Sequence, residues 1–232
     1  MRAVVLAGGR GTRLKPYTTT IPKPLVPVGE RPILEIVIGQ LKEAGVDHIT
    51  LTVNHMAEFL MAFFGDGERF GIRIDYATET EPLGTVGPVK QIVDLPESFF
   101  VLNGDLLTDL DLNALFESHR TSGARLTVAT YSRDSMIDFG VIDIDEQSGQ
   151  VTGFREKPTY HFTVSTGFYV YSRALLDDVP DGPYGFDQLM LDMLSRNESI
   201  NTYKHDGYWL DIGRPEDYEK ANTDFAKVLG DE

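Results

Sequence analysis

The stretch Arg2-Ala3-Val4-Val5-Leu6-Ala7-Gly8-Gly9 opens the chain and decides the fold class that we expect. Every residue from Ala3 to Ala7 is apolar, and the run stops at two glycines. A short, continuously apolar run predicts a strand that is buried on both faces of a parallel sheet. Ligands bind outside the carboxyl ends of such strands, so the loop after Ala7 is a candidate binding loop.

Strand-like and helix-like patterns alternate through the first half of the chain. The predicted strands are Arg2–Ala7, His48–Val53, Ile72–Tyr76 and Phe99–Leu102, and the predicted helices are Pro32–Ala44, Ala57–Phe64, Val86–Val93 and Asn113–His119. This rhythm predicts an α/β fold with a doubly wound, mostly parallel sheet. The second half adds an antiparallel β region and two helices: strands Arg125–Tyr131, Gly140–Ile144, Gln150–Phe154 and Val164–Tyr171, then helices Phe186–Ser195 and Pro215–Val228. No linker interrupts these patterns, so we expect a single domain over residues 1–232.

The chain carries 21 Lys and Arg residues against 36 Asp and Glu residues, a formal net charge of −15. This balance argues against nucleic acids and anionic membranes as partners, since both require a broad basic surface. Residues 1–50 nevertheless hold seven basic and four acidic side chains, whereas residues 51–232 hold 14 and 32. The basic N-terminal stretch favours a small anionic ligand there, although so small an excess also arises by chance.

Three further absences in the sequence exclude other classes of protein and of chemical site. The chain has no cysteine, which excludes disulfides and thiolate sites. It has no apolar run of membrane-spanning length and no signal-peptide pattern, so we expect a soluble, cytoplasmic protein. The five histidines show no metal-binding spacing, and no serine stands in a nucleophile-elbow context.

The loop after Ala7 matches neither of two common phosphate-binding patterns. A P-loop requires G-x-x-x-x-G-K-[ST], which is absent, and a dinucleotide fingerprint requires a third glycine where Leu14 stands. Two cations distinguish the segment instead: Arg13 inside the glycine loop, and Lys23 between Pro22 and Pro24. Flanking prolines hold a backbone extended, and a rigidly presented lysine suits a phosphate. The alternative is a turn with solvated basic side chains.

Two isolated aspartates are candidate metal ligands. Asp105 follows the predicted strand Phe99–Leu102, and Asp211 follows Trp209, the only tryptophan. Carboxylates beside apolar runs are costly unless they bind something, and Mg²⁺ takes one or two carboxylates together with phosphate oxygens. Each aspartate could equally cap a helix or begin a turn. The sequence does not show that the two meet, because 106 positions separate them.

Taken together, these residues resemble the sugar-1-phosphate nucleotidylyltransferases along nearly the whole chain. The motifs that carry the resemblance occur in the family's order: Leu6-Ala7-Gly8-Gly9-x-Gly11-Thr12-Arg13-Leu14, Pro22-Lys23-Pro24, Asn103-Gly104-Asp105, Phe139-Gly140-Val141, Glu156-Lys157-Pro158, Thr166-Gly167 and Trp209-x-Asp211-Ile212-Gly213. The resemblance implies a Rossmann-like nucleotidyltransferase fold. It also implies the reaction of an NTP with a sugar 1-phosphate to give an NDP-sugar and pyrophosphate, with a homodimer as one option for the assembly.

The resemblance also implies roles for individual residues. The catalytic set is Arg13, Lys23, Asp105 and Asp211, in which the two cations contact phosphates and the two aspartates hold Mg²⁺. The nucleotide-binding set is Leu6, Ala7, Gly8, Gly9, Gly11, Thr12, Arg13, Lys23, Glu81, Gly84, Thr85, Asn103 and Gly104. The set facing the sugar phosphate is Gly140, Glu156, Lys157, Thr166 and Gly167. Read without the resemblance, Lys157 is typical of a solvated lysine, and Gly140 and Gly167 of turn or packing glycines.

The sequence indicates the two substrates less specifically than the type of reaction. Glu79-Thr80-Glu81-Pro82-Leu83-Gly84-Thr85 looks most like mannose-1-phosphate guanylyltransferases, and the compact chain is similar to heptose-1-phosphate guanylyltransferases, so GTP is favoured. Thr166-Gly167 is instead similar to glucose-1-phosphate thymidylyltransferases, which leaves the sugar, and dTTP or UTP as the nucleotide, open. The C-terminal β-helix of many mannose enzymes is expected to be missing.

Two other functions compete with this one. A nucleotide-sugar-dependent glycosyltransferase would use an Asp-x-Asp metal motif, which Asp109-Leu110-Asp111 spells, although it looks like a helix start. A non-catalytic homologue would be expected to lack one of the four catalytic residues, all of which are present.

Overall fold

The structure is a computed structural model that describes residues 1–229. Its strands, in chain order, are β1 (Arg2–Leu6), β2 (Pro27–Val28), β3 (Arg31–Pro32), β4 (His48–Val53), β5 (Arg73–Thr78), β6 (Ser98–Asn103), β7 (Leu106–Thr108), β8 (Leu126–Met136), β9 (Val141–Ile144), β10 (Val151–Arg155), β11 (Thr159–Ser172), β12 (Asn201–His205) and β13 (Trp209–Asp211). Its α-helices are α1 (Ile33–Glu43), α2 (Ala57–Phe64), α3 (Gly87–Lys90), α4 (Leu112–Ser122), α5 (Phe186–Ser195) and α6 (Pro215–Leu229). None of the helices within residues 1–229 combines the length and apolar character needed to cross a membrane.

Seven strands form the central sheet in the order β12-β8-β11-β6-β1-β4-β5. The pairs β1–β4, β1–β6, β4–β5 and β8–β12 are parallel, whereas β11 runs antiparallel to both β6 and β8. The predicted α/β class, with a mostly parallel sheet and an added antiparallel region, is therefore confirmed.

Strand β1 lies in the interior of the sheet, between β6 and β4, and both of its faces are apolar. Val5 belongs to a core cluster that α1, α2 and α4 cover, together with Leu34 and Leu60. Val4 points to the opposite face, into a second cluster with Tyr171 and Leu189 of α5. Helices therefore cover both faces, which is the doubly wound arrangement that the sequence predicts.

Most predicted elements are present, with differences at their ends. The elements His48–Val53, Ala57–Phe64 and Phe186–Ser195 agree with the structure to the residue. The predicted helix Val86–Val93 is wrong in extent, since only Gly87–Lys90 is helical and Asp94 has a positive φ of 63°. The sequence does not predict the short strands β7, β12 and β13, because three to five residues show too little periodicity.

Strands β8 and β11 continue beyond the central sheet as a two-stranded ribbon. Residues 132–163, which include this ribbon and the β9–β10 hairpin, are called the arm below. The sequence predicts β8 only to Tyr131 and β11 only from Val164, close to the buried segments Leu126–Thr130 and Thr166–Tyr171 that the structure shows. All arm residues are described, and not one of them is buried.

Candidate active site

A cavity of about 640 Å³ opens at the carboxyl ends of β1, β4, β5 and β6. This is the edge of a parallel sheet at which ligands bind. The lining residues are Leu6, Ala7, Gly8, Gly9, Arg10, Lys23, Pro24, Thr52, Asn54, Glu79, Thr80, Pro82, Gly84, Thr85, Asn103, Gly104 and Asp105. The loops that follow the four strands therefore converge on one pocket, and the glycine-rich loop forms part of its wall.

The glycine-rich loop is held close to Lys23. Gly11 has a φ of +58°, and a Cβ added there would lie 3.0 Å from Thr18 Cγ2 and 3.1 Å from Lys23 Cβ. The Thr18 hydroxyl donates a 2.7 Å hydrogen bond to the Gly11 carbonyl. Only glycine combines this left-handed backbone with so close an approach, so the position fixes the distance between the loop and Lys23.

Lys23 is presented from a single 3₁₀ turn, Lys23–Leu25, and not from the extended backbone that its prolines predict. Pro22 is extended, and its carbonyl accepts a 2.9 Å hydrogen bond from the Leu25 N–H. Pro24 occupies the first turn, where its missing N–H is no loss. The turn buries Lys23 to 7% exposure, and Lys23 still lines the cavity.

The structure brings Asp105 and Asp211 together beside the Lys23 ammonium. Lys23 Nζ donates to Asp105 Oδ2 and lies 4.0 Å from Asp211 Oδ1. The approach depends on β13 pairing with β7, which places Asp211 opposite Leu106. The Ile212 N–H also donates a 3.2 Å hydrogen bond to the Asp105 carbonyl. Two very short strands thus join segments that are 106 positions apart.

The two carboxylates of this cluster lie in an environment that is unfavourable for their negative charge. Burial, followed by the charge of Asp105, raises the pKa of the Asp211 carboxyl, and Lys23 and Arg13 lower it to a smaller extent. Asp105 Oδ1 is buried and has no hydrogen-bond partner among the described residues. A buried carboxylate oxygen without a partner is costly, which indicates that it binds something.

Arg13 completes the charged cluster, since its charge acts on Asp211. It lies in the 3₁₀ turn Thr12–Leu14, where Leu14 is fully buried against Ile212. A Cβ added at Gly213 would lie 3.6 Å from the Arg13 guanidinium, so the two segments are in contact. Arg13 does not line the cavity itself, but it acts on Asp211 electrostatically.

These carboxylates fit Mg²⁺ better than a metal held by protein ligands alone. Among the described residues, no group of three or more His, Cys, Asp or Glu side chains could hold a metal ion. Mg²⁺ needs only one or two carboxylates when substrate phosphates and water supply the remaining oxygens. The unpartnered Asp105 Oδ1 and the adjacent Asp211 carboxylate are donors of this kind.

The predicted nucleotide-binding residues divide into two groups. Those that line the cavity are Leu6, Ala7, Gly8, Gly9, Lys23, Gly84, Thr85, Asn103 and Gly104. Those that are not among its lining residues are Gly11, Thr12, Arg13 and Glu81. Sequence reasoning missed Arg10, Asn54 and Glu79. Asn54 could have been found, since it directly follows the predicted strand His48–Val53, whereas the third strand is predicted to end at Tyr76, three positions before Glu79.

Glu79 gives the cavity a carboxylate that is fixed in place. Its Oε2 accepts a 3.0 Å hydrogen bond from the Leu83 N–H, and its Oε1 lies 3.2 Å from the position of a Cβ on Gly8. Burial raises the pKa of the Glu79 carboxyl, and the Leu83 hydrogen bond lowers it to a smaller extent. Glu81, which the family resemblance favours, is exposed.

Thr166 and Gly167 lie beside the cavity, at a bulge in β11. A Cβ added at Gly167, whose φ is +83°, would lie 2.7 Å from Asn103 Nδ2. The Thr166 hydroxyl is buried and donates to the Ala129 carbonyl at 2.9 Å, while Trp209 Nε1 donates to the Thr166 carbonyl at 2.9 Å. Trp209 thereby connects this bulge to the strand that carries Asp211.

The other predicted sugar-phosphate residues lie in the arm. Gly140 packs against Phe154 and Glu156, since a Cβ there would lie 2.6 Å from the Phe154 ring and 3.2 Å from Glu156 Oε2. Lys157 Nζ forms a 2.8 Å ion pair with Asp138. None of the three is among the residues that line the described cavity.

Comparison with known proteins agrees with this geometry. The nucleotidyl transferase family matches residues 2–228. The chain is 34% identical over 225 residues to the mannose-1-phosphate guanyltransferase beta-A of Xenopus laevis, covering 94% of this chain and 62% of that protein. It is also 34% identical over 243 residues to the UTP–glucose-1-phosphate uridylyltransferase of a Synechocystis strain, covering 95% of this chain and 62% of that protein. The chain thus spans less than two thirds of the length of these relatives.

A solved structure matches over its whole length. The structure of HddC from Yersinia pseudotuberculosis complexed with GMP-PN has a TM-score of 0.76 and 30% identity, covering 97% of this chain and 99% of that one. Because the family match runs from residue 2 to residue 228 and includes all four members of the charged cluster, the chain belongs to the nucleotidyl transferase family.

Proposed function

We propose that the protein is a sugar-1-phosphate nucleotidylyltransferase, which converts an NTP and a sugar 1-phosphate into an NDP-sugar and pyrophosphate. The observation that carries the proposal is the cluster of Arg13, Lys23, Asp105 and Asp211 at the edge of the cavity. GTP is the proposed nucleotide, and a mannose- or heptose-type 1-phosphate is the proposed acceptor.

The chemistry of this reaction suits a site without a catalytic His or Ser. The attacking phosphate oxygen is already ionised near neutral pH, so no general base has to remove a proton. That oxygen bonds to the α-phosphorus as the bond to the bridging oxygen breaks, and pyrophosphate leaves with the electron pair. Positioning and charge stabilisation are then the main tasks of the protein. Lys23, fixed by its turn and its ion pair, and Arg13 supply positive charge beside the cavity.

Mg²⁺ is the proposed cofactor, and Asp105 and Asp211 are its proposed ligands. When bound, Mg²⁺ would neutralise charge on the phosphates of the NTP. Among the described residues, one buried oxygen of Asp105 has no hydrogen-bond partner, and the pKa of the Asp211 carboxyl is raised. Both features are expected of groups that bind a cation. The cytoplasm, which supplies nucleoside triphosphates, remains the proposed location.

Glu79 supports guanine as the base. Guanine presents N1–H and the N2 amino group side by side, and a carboxylate accepts from both. Uracil and thymine present one N–H between two carbonyl oxygens, which a carboxylate repels. Adenine presents one amino group beside an acceptor. The guanyltransferase relatives and the neighbour solved with GMP-PN favour the same base, while the Synechocystis relative keeps UTP as the alternative.

The structure argues against the glycosyltransferase alternative, because both carboxylates of its metal motif, Asp109-Leu110-Asp111, are engaged elsewhere. Asp109 Oδ1 accepts a 2.7 Å hydrogen bond from the Tyr208 N–H, and Asp111 caps α4 by accepting from the Ala114 N–H at 2.9 Å. The prediction that Asp111 begins a helix is confirmed, and both carboxylates already accept hydrogen bonds from backbone N–H groups.

A pyrophosphate-release panel tests the proposal. GTP, ATP, CTP, UTP and dTTP are each combined with mannose, heptose and glucose 1-phosphates in the presence of Mg²⁺. We expect release with GTP and a mannose- or heptose-type acceptor, and its loss in the Asp105→Asn variant. NTP binding without release for every pair would instead support a non-catalytic homologue. Release with UTP or dTTP alone would overturn the assignment of guanine.

A further inference from the structure

The strand pair β7–β13 carries Asp211 but is not part of the central sheet. It forms a separate two-stranded sheet, with three residues in each strand. Isolated strand pairs of this kind are marginally stable in water. A slip of one residue along β7 would turn every side chain of β13 to the opposite face, and Asp211 would then leave Lys23. The contacts that fix this register therefore also fix the position of Asp211.

His205 is a buried histidine that lies beside one end of this strand pair. The register places Trp209 opposite Thr108 at that end, whereas Asp211 lies at the other end. His205 is the last residue of β12 and is only 7% exposed. Because β12 pairs with β8, where His205 stands opposite Tyr131, its backbone is anchored in the seven-stranded sheet.

Three oxygen atoms surround Nε2 of the His205 ring. They are the Tyr208 carbonyl at 2.9 Å, Asp109 Oδ1 at 3.1 Å and Thr108 Oγ1 at 3.3 Å. Carbonyl and carboxylate oxygens can only accept hydrogen bonds. The Thr108 hydroxyl donates its own hydrogen to the Tyr208 carbonyl at 2.7 Å. Nε2 therefore carries a hydrogen, and this N–H bridges the end of β7 and the residue that precedes β13.

The turn between β12 and β13 closes tightly around this N–H group. A Cβ added at Gly207 would overlap Asp109 Oδ1 and would lie 2.8 Å from His205 Cε1. Asp109 Oδ1 also accepts a 2.7 Å hydrogen bond from the Tyr208 N–H. Both backbone polar groups of Tyr208 are thus held, the N–H by Asp109 and the carbonyl by His205 and Thr108. Strand β13 therefore starts from a fixed point.

We propose that His205 is a positioning residue, whose Nε2–H holds β13 in register with β7 and thereby keeps Asp211 beside Lys23. Asp211 follows Tyr208 by three positions, which is about 10 Å along an extended strand. His205 thus acts through the strand and not by contact with reacting groups. The effect on catalysis rests on the proposed function, whereas the effect on the register does not.

Hydrogen exchange of backbone amides, followed by NMR without substrate, tests the register directly. The Ile212 N–H reports on it, since it donates to the Asp105 carbonyl. His205→Leu should speed exchange of this amide at least ~10-fold relative to the amides of β1, because local opening no longer breaks the hydrogen bond to the Tyr208 carbonyl. His205→Gln should restore exchange to within about threefold of the wild type, since its amide N–H reaches the place of Nε2.

His48→Leu is the matched control for the loss of a histidine. His48 Nε2 pairs with Asp75 at 2.7 Å, and its side chain is 19% exposed. It begins β4, at the edge of the sheet opposite the cavity. This variant should leave the exchange of the Ile212 amide, relative to β1, within about twofold of the wild type.

Steady-state kinetics then separate positioning from a purely structural role. His205→Leu should lower kcat about 10- to 100-fold, as small misplacements remote from the chemistry do, and should change the KM for the sugar phosphate less than about threefold. His205→Gln should stay within about threefold of the wild-type kcat. In the Asp211→Asn background, His205→Leu should lower kcat less than about threefold further, because it acts through Asp211.

Three results would overturn the proposal: unchanged exchange of the Ile212 amide in folded His205→Leu, no recovery in His205→Gln, or kcat losses of His205→Leu and Asp211→Asn that multiply. Circular dichroism shows whether each variant folds. His205→Asn, whose shorter amide does not reach the place of Nε2, replaces His205→Leu should that variant fail to fold. A wild-type protein without transferase activity would refute the proposed function alone, and the exchange rates would then decide the role of His205.

Discussion

Replacing Lys23 with Met removes the cation from the charged cluster and keeps the volume of the side chain. The Lys23 side chain is 9% exposed, and those of Asp105 and Asp211 are 26% and 44% exposed. Removal of one partner from a buried ion pair costs roughly 3–5 kcal/mol, because the other charge stays buried and unpaired. We expect about 3 kcal/mol, the lower limit of that range, since both carboxylates keep some contact with water.

Urea unfolding of the protein without Mg²⁺ measures this loss. The double variant Lys23→Met/Asp105→Asn should recover at least half of it, because the stranded carboxylate has gone. The loss should also shrink at acidic pH, because burial and the charge of Asp105 raise the pKa of the Asp211 carboxyl and the loss of Lys23 removes a cause that lowers it, so the folded variant takes up a proton there. A Lys23→Met variant within about 0.5 kcal/mol of the wild type would show that the ion pair is solvated, and would refute the reasoning.

Three further predictions concern the same site. Asp211→Asn should lower kcat at least ~100-fold, as loss of one charge-stabilising group does. It should also stabilise the unliganded protein by up to about 1 kcal/mol at neutral pH. The raised pKa of the Asp211 carboxyl shows that its ionised form is unfavourable in the folded state. Urea unfolding should therefore show the variant to be more stable than the wild type above the pKa of the folded state. This difference should disappear as the pH falls below the pKa of the unfolded state. Glu79→Gln should lower kcat/KM for GTP about 10- to 100-fold relative to UTP, whereas Glu81→Gln should not change that ratio; the reverse pattern would favour the residue that the family resemblance indicates. Gly11→Ala should destabilise the protein by about 1–2 kcal/mol in thermal unfolding, because alanine at a φ of +58° is strained and its Cβ would meet Thr18 and Lys23, and an unchanged Tm would contradict this.

The sequence predicts the sheet well because its central strands are buried on both faces. The apolar run Ala3–Ala7 stops at two glycines, and His48–Val53 is rich in β-branched residues, so both segments predict strands. The meeting of Asp105 and Asp211 could not be predicted in the same way. It depends on β7 and β13, which have three residues each, and on a pairing between distant segments. Contacts of that kind are set by tertiary packing and not by any local pattern.

Glu79 shows how a small error in a strand end can conceal a site residue. The sequence predicts that the third strand ends at Tyr76, whereas β5 runs to Thr78. Glu79 is then the first residue after the strand, where the carboxyl edge of the sheet faces the cavity. With the shorter strand it lies inside a loop, indistinguishable from Glu81. The rule that ligands bind at strand ends is only as accurate as the ends themselves.

The charge balance of the cluster explains why a divalent cation belongs to the proposed function. The basic first fifty residues predict a site with a net positive charge. In the structure, the charges of Arg13 and Lys23 are instead balanced by those of Asp105 and Asp211. Arg10 is the remaining cation that lines the cavity, and no ion pair engages it among the described residues. A triphosphate carries about four negative charges near neutral pH, which one guanidinium does not balance. Release of Lys23 and Arg13 toward phosphates requires that the two aspartates receive another cation. In the proposed function, the acidic residues at this site therefore do not oppose anion binding but make it conditional on the proposed Mg²⁺.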